Sequence, residues 1–220
     1  MNLGHGSHRA GIWRSGVPIS PQPNSIPSGF TALDPLLPGG GWPLGALTEI
    51  ITTHEGVGAL RLLTPALAQL SGADRWLAWI APPYIPYAPA LAAAGIDLSR
   101  VMLVHAQKQH DILWAAEQAL RSGTSGAVLV WLSENIDPKR LHRLQLAAEA
   151  GGSLGLIFRP YGAADQASPA ALRLLIEPAS EYTDVHILKR RGGWPTGPLA
   201  LDLDHVSSAP EGLHPGLLRQ

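Results

Sequence analysis

Residues 46–70 read ALTEIITTHEGVGALRLLTPALAQL, and the order of patterns within them decides the fold. Residues 46–51 are a short, mostly apolar run of the kind that forms a buried strand. The turn that follows holds Gly56 and Gly58, and apolar residues then recur at Leu60, Leu62, Leu63, Ala66, Leu67 and Leu70, the spacing of one helix face. Pro65 must kink this helix or sit near its first turn, because it lacks the amide donor that a helix interior uses. Strand, glycine loop and helix in this order open a βαβ unit.

The same rhythm continues downstream. Residues 75–81 read as a strand, 86–94 as a short alanine-rich helix closed by Gly95, and 100–105 as another strand. Residues 108–122 have helical spacing at Ile112, Leu113, Ala116, Ala119 and Leu120 and stop at Gly123. Residues 127–132 are the near-continuous apolar run expected of a parallel strand covered on both faces. Asp137-Pro138 supplies a capping acceptor and a first-turn proline for a helix that runs to Gly151-Gly152. Residues 154–158 form the next strand, after which 172–177, 183–189 and 199–203 follow without helices between them, which predicts an antiparallel extension of the sheet. The expected class is α/β, with a mostly parallel sheet flanked by helices and an antiparallel C-terminal extension.

Upstream, residues 1–25 are rich in Gly, Pro, Ser and His and read as an arm whose apolar anchor is Ile12-Trp13 followed by Arg14. Such a lone tryptophan suits a docking segment. Residues 26–205 form the expected core and 206–220 a tail. The chain of 220 residues has room for one domain, and 45% apolar residues let it collapse despite 24 glycines and 20 prolines. A net charge of −1 removes the simplest argument for nucleic-acid binding, and the absence of cysteine excludes disulfides, thiolate metal sites and a cysteine nucleophile. There is no signal-peptide pattern and no run approaching the ~18 apolar residues of a membrane span, so a cytoplasmic protein without membrane attachment is expected.

The turn after the first core strand is where chemistry is expected. A working P-loop wraps phosphates with glycine-freed backbone amides, reaches them with a lysine and holds magnesium with a hydroxyl. Here Gly56 and Gly58 remain, Ala59 stands in the lysine position and Leu60 in the hydroxyl position. The strand over 127–132 should end in a carboxylate for the metal, and Trp131 occupies that place. Losing all three groups argues against nucleotide hydrolysis, so no enzyme and no cofactor are expected. The nine histidines show no metal-ligand spacing. Lys189, Arg190 and Arg191 form a basic strand end, read either as a solvated terminus or as a contact surface. Arg140, His142 and Arg143 form a weaker basic stretch, read as the wet face of a helix.

On residues 26–50, IPSGFTALDPLLPGGGWPLGALTEI, and 187–193, ILKRRGG, the chain resembles the ImuA family of RecA-like proteins encoded with ImuB and an error-prone DnaE-type polymerase. The resemblance implies a RecA-like core. It places the recombinase's phosphate-binding lysine at Ala59, its metal-strand acid at Trp131 and its water-activating glutamate near Pro83, so all three are missing. It also implies that Lys189 and Arg191 stand where recombinases carry lysines that reach a neighbouring subunit. The function it implies is a non-catalytic adaptor in DNA-damage-induced mutagenesis, with ImuB as partner, RecA as a second one, and direct DNA binding weak or absent. The alternative is a SulA-like cell-division inhibitor, also RecA-like without a nucleotide site, which would bind the tubulin-like protein FtsZ. Its separation from the first reading needs a polymerisation assay.

Overall fold

The computed structural model describes residues 24–53, 58–132, 136–179 and 182–203. A small hairpin pairs β1, Ser25–Ile26, with β2, Trp42–Pro43. The main chain then alternates through β3 (Ala46–Thr52), α1 (Ala59–Gly72), β4 (Trp76–Ile80), α2 (Ala88–Ala93), β5 (Val101–Val104), α3 (Gln109–Arg121), β6 (Ser125–Trp131), α4 (Pro138–Gly151) and β7 (Leu154–Pro160). It ends with β8 (Leu172–Pro178), β9 (Thr183–Arg190) and β10 (Thr196–Leu201). Among the described residues eight strands form one sheet, in the order β10-β9-β8-β3-β7-β6-β4-β5.

The pairs from β8 to β5 are all parallel, and β9 and β10 add antiparallel pairs at one edge. The expected mixed α/β class with a mostly parallel sheet is therefore present. Two details differ from the sequence reading. β8 is parallel to β3, because residues 161–171 carry the chain back across the sheet before it re-enters. β10 starts at Thr196 rather than 199, and its ladder shifts between Thr196 and Leu199, where Gly197-Pro198 lacks the side chain and the amide that regular pairing uses.

Alternation along each central strand divides the core in two. Leu77, Trp79, Ala127 and Leu129 join Leu62, Leu63, Ala66 and Leu67 of α1 on one face. Ala78, Ile80, Val128 and Val130 join Leu113, Ala116 and Leu120 of α3 and Leu141, Leu144 and Ala147 of α4 on the other. Pro65 sits inside α1, beyond its first turn. Asp137 caps α4 as its sequence suggests, its Oδ1 accepting from the Lys139 amide at 2.8 Å, and Gly152 ends that helix in the left-handed region at φ 64°.

The α3 and α4 ends meet closely at Gly151. A side chain there would run into the backbone carbonyl of Leu120, while Ser153 Oγ donates to that same carbonyl at 3.1 Å and to the Ser125 carbonyl at 2.8 Å. Gly151→Ala is expected to cost about 1–3 kcal/mol by overpacking, read from the shift in the urea unfolding midpoint with an unchanged slope.

A buried ion cluster ties together the two halves of the sheet. Glu49 on β3 lies opposite Arg173 on β8, and its neighbour Ile51 lies opposite Arg159 on β7. The Glu49 carboxylate, fully buried, accepts from Arg159 Nη1 at 3.2 Å, Arg173 Nε at 2.7 Å and Ser168 Oγ at 2.8 Å. Arg173 Nη2 donates onward to the Ala163 carbonyl at 2.6 Å and Arg159 Nη2 to Gln166 Oε1 at 2.7 Å. The cluster pins the 161–171 crossover against the sheet.

Candidate functional site

The residues singled out by the nucleotide-loop argument are built into the scaffold. Gly58 caps α1 from the left-handed region at φ 83°, and Ala59 and Leu60 open the helix, packed against the core. A Cβ on Gly58 would lie 2.8 Å from Leu203 Cδ1, so Leu203 sits against the start of the helix. Gly56 lies outside the described residues. Trp131, at the end of β6, stacks flat on Phe158 of β7 with centroids 4.5 Å apart, and lies 5.7 Å from the Trp79 ring of β4. Three aromatic rings thus crowd the C-terminal ends of three parallel strands, where open α/β sheets otherwise leave a ligand crevice. Among the described residues no group of three His, Asp or Glu side chains is placed to hold a metal ion.

Lys189, Arg190 and Arg191 are adjacent in sequence but serve three different places. Lys189 Nζ donates to the Ser168 carbonyl at 2.7 Å. Its partial burial, and then the charge of Arg173, hold its ammonium below the usual lysine pKa, with Glu49 opposing. Arg190 Nη1 donates to the Leu36 carbonyl at 2.8 Å and so fastens the turn after β1 to β9. Arg191 is exposed and borders a cleft that Asn24, Gly39 and Glu149 also line. The anchor Ile12, Trp13 and Arg14 lies outside the described residues.

Most of the exposed large apolar residues lie elsewhere, on and around the β5 edge of the sheet, while Trp114, Leu146, Tyr161, Tyr182 and Trp194 are exposed away from it. β5 pairs with β4 in the register Leu77 to Val101 through Ile80 to Val104, and among the described residues no strand borders its other side. Its Met102 and Leu103 point to opposite faces, yet both remain about two-fifths exposed (42% and 38%). The opposite edge, β10, is blunted by its proline and register shift; β5 has no proline, glycine, charge or bulge.

Neighbouring segments extend this face. The Ala81 amide donates to the Val104 carbonyl at 2.9 Å, which sets the start of the β4–α2 loop beside the end of β5. That loop reads Pro82-Pro83-Tyr84-Ile85-Pro86-Tyr87, and Tyr84, Ile85 and Tyr87 are each more than 70% exposed. Its three prolines fix φ and leave less chain entropy to lose on contact with a partner. Below it, Leu98 is exposed, and Trp76 carries the Arg100 guanidinium 5.4 Å above its ring, with Arg100 also paired to Asp74.

Asp97 braces the turn that leads into β5, its Oδ1 accepting from Ser99 Oγ at 2.7 Å and the Ser99 amide at 2.9 Å. The Ser99 hydroxyl, then the Ser99 amide, hold the Asp97 carboxyl below the usual carboxylate range. A depressed folded pKa means the brace is fully present above the unfolded value and is lost as pH falls through the folded one.

Sequence reading missed this face and the Glu49 cluster. The signal for the first was three large apolar residues stranded among prolines, where no core helix or strand could absorb them. The signal for the second was one charge inside each of three apolar strand runs, at Glu49, Arg159 and Arg173.

The fold and this face define a mixed α/β protein with a mostly parallel sheet, one edge of which presents an apolar surface. Residues 45–155 match the family model described as cell division inhibitor SulA. The cell division inhibitor SulA of Pectobacterium atrosepticum is 33% identical over 56% of this chain and 73% of its own length. That of Edwardsiella piscicida is 40% identical over 45% of this chain and 58% of its own length. A crystal structure of SulA from Pseudomonas aeruginosa is 32% identical over 51% of this chain and 97% of that one, with a TM-score of 0.43. The chain belongs to the SulA family.

This corrects the ImuA resemblance and what it implied: an adaptor for translesion synthesis, and the partners ImuB, a DnaE-type polymerase and RecA. The physical reason lies in the segments that carried it. Residues 26–50 build the β1–β2 hairpin, its glycine turns and β3, while 187–193 are the end of β9 and its turn. These are scaffold parts, and most of them fall outside the matched residues 45–155.

Proposed function

We propose that this protein is a cell-division inhibitor, induced in the response to DNA damage, that binds FtsZ through the apolar face at the β5 edge and blocks its polymerisation. The observation that carries this reading is that residues 45–155, matched to the division-inhibitor family, contain the whole face from Trp76 to Leu103. A partner laid along β5 gains backbone hydrogen bonds from the open strand edge and apolar contacts from Met102, Leu103, Ile85, Tyr84 and Tyr87.

The inhibitor acts by occupation and has no reaction of its own. Supporting this, Ala59 and Leu60 supply neither charge nor hydroxyl at the α1 start, Leu203 packs there, and Trp131 fills the strand end with its stacked partner. The same features, on a parallel sheet with a glycine turn between β3 and α1, support a RecA-like core whose nucleotide site has been closed. The core is residues 26–205, with 1–25 and 206–220 as appendages; no cofactor takes part. Of the basic strand end, Arg191 is the side chain left to a partner, and Ile12, Trp13 and Arg14 form a secondary docking segment. The site of action is the cytoplasm; no helix among the described residues is long and apolar enough to cross a membrane.

The test is to add the purified chain to assembling FtsZ and follow light scattering. Assembly is expected to fall with added chain and to stop near a stoichiometric ratio, without any adenine nucleotide. Unchanged assembly at a large excess of chain overturns the reading.

A further inference from the structure

On the face of the sheet away from α1, a groove runs between α3 and α4. Leu113 and Leu144 form its buried floor, and Trp114 stands on its rim with 61% of its surface exposed. Its walls carry His110, Arg140 and Arg143 against one carboxylate, Glu117. That carboxylate is already engaged: it accepts from Arg143 Nη2 at 2.6 Å and from Arg121 Nη2 at 3.3 Å. Asp111, at the start of α3, is paired with His110 at 3.3 Å. Arg140, one turn before Leu144, is exposed; its amide donates to the Asp137 carbonyl at 2.9 Å, but its guanidinium has no hydrogen bond or ion pair among the described residues. Packing α4 against α3 explains the Glu117 bridges. It leaves unexplained an exposed indole beside an unpartnered guanidinium, in a chain whose net charge is −1.

We propose that this groove is a second docking surface, distinct from the β5 edge, which takes an acidic peptide segment of a partner protein. An apolar side chain of that segment packs on Trp114 above Leu113 and Leu144. An adjacent carboxylate takes the fork of Arg140, and a second shares Arg143 with Glu117. Tryptophan and arginine are the residue types that concentrate binding energy at such contacts, and the guanidinium fork matches a carboxylate in geometry as well as charge. The surplus of cations over free carboxylates selects an acidic segment and disfavours a basic one. The groove shares no residue with the β5 face, so this inference does not rest on the division-inhibitor reading.

The test uses the full chain and a fluorescein-labelled peptide that alternates glutamate with leucine, followed by anisotropy. Two labelled controls accompany it: the same peptide with lysine for glutamate, and a single-stranded oligothymidylate. Saturable binding of the glutamate peptide is expected, weakened about tenfold or more by Arg140→Glu and by Trp114→Ala, and unaffected by Met102→Glu at the other face. Arg140→Glu breaks no bond in the fold, so its unfolding midpoint should match that of the parent chain. No binding of the glutamate peptide, binding indifferent to both groove variants, or a preference for the lysine peptide or the oligonucleotide overturns the proposal.

Discussion

Glu49→Ala is expected to destabilise the protein by about 3–5 kcal/mol, a large share of the roughly 5–15 kcal/mol that holds an ordinary domain folded. The substitution removes the one carboxylate between two buried arginines and leaves Arg159 and Arg173, both almost fully enclosed, facing each other across β3 without compensation. Arg173 would keep its bonds to the Ala163 and Ala164 carbonyls, and Arg159 its bond to Gln166, so each stays held in place with its charge. Ser168 would also lose its acceptor, loosening the 161–171 crossover. The measurement is urea unfolding followed by circular dichroism. A loss under about 1 kcal/mol would mean that the arginines escape to water and that the cluster is not a fixed part of the fold. Replacing all three charges together by apolar residues of similar volume should recover much of the loss, because the desolvation cost disappears along with the attraction.

The second large effect concerns activity with the fold intact. Ile85→Glu and Met102→Glu are each expected to weaken inhibition of FtsZ assembly by about thirtyfold or more, while shifting stability by no more than about 0.5 kcal/mol. Ile85 is 79% exposed on its proline-held loop, so a carboxylate there costs the isolated fold nothing and places a desolvated charge in any apolar contact. Met102 lies on the open edge strand, where an inserted charge also disfavours strand addition. The comparison is the chain concentration that halves light scattering, for the parent and for each variant, beside their urea midpoints. Full inhibition by both variants would move the FtsZ contact to another face.

What the sequence made legible was local. The two-face core follows from the apolar run of β6, and the ends of α4 follow from Asp137-Pro138 and Gly152, because each is decided by neighbours within a few residues. The parallel entry of β8 was not legible, since it depends on where an irregular crossover lands. The ion cluster joins residues 110 and 124 positions apart, and no local pattern pairs one charge with another at that range. The family was misread for a related reason. Glycine turns and a strand opening are required by the scaffold and so resemble other proteins of similar architecture, whereas the family match lies over residues 45–155, mostly downstream of them.

The placement of β3 in mid-sheet governs how the chain is made. β3 is synthesised early, yet both of its hydrogen-bonded neighbours, β7 and β8, emerge from the ribosome more than a hundred residues later. Until then both flanks of an apolar strand stand open, and the barrier to completion is the search that brings distant segments together. Nascent chains paused before residue 154 are therefore natural clients for chaperones and easy prey for proteases.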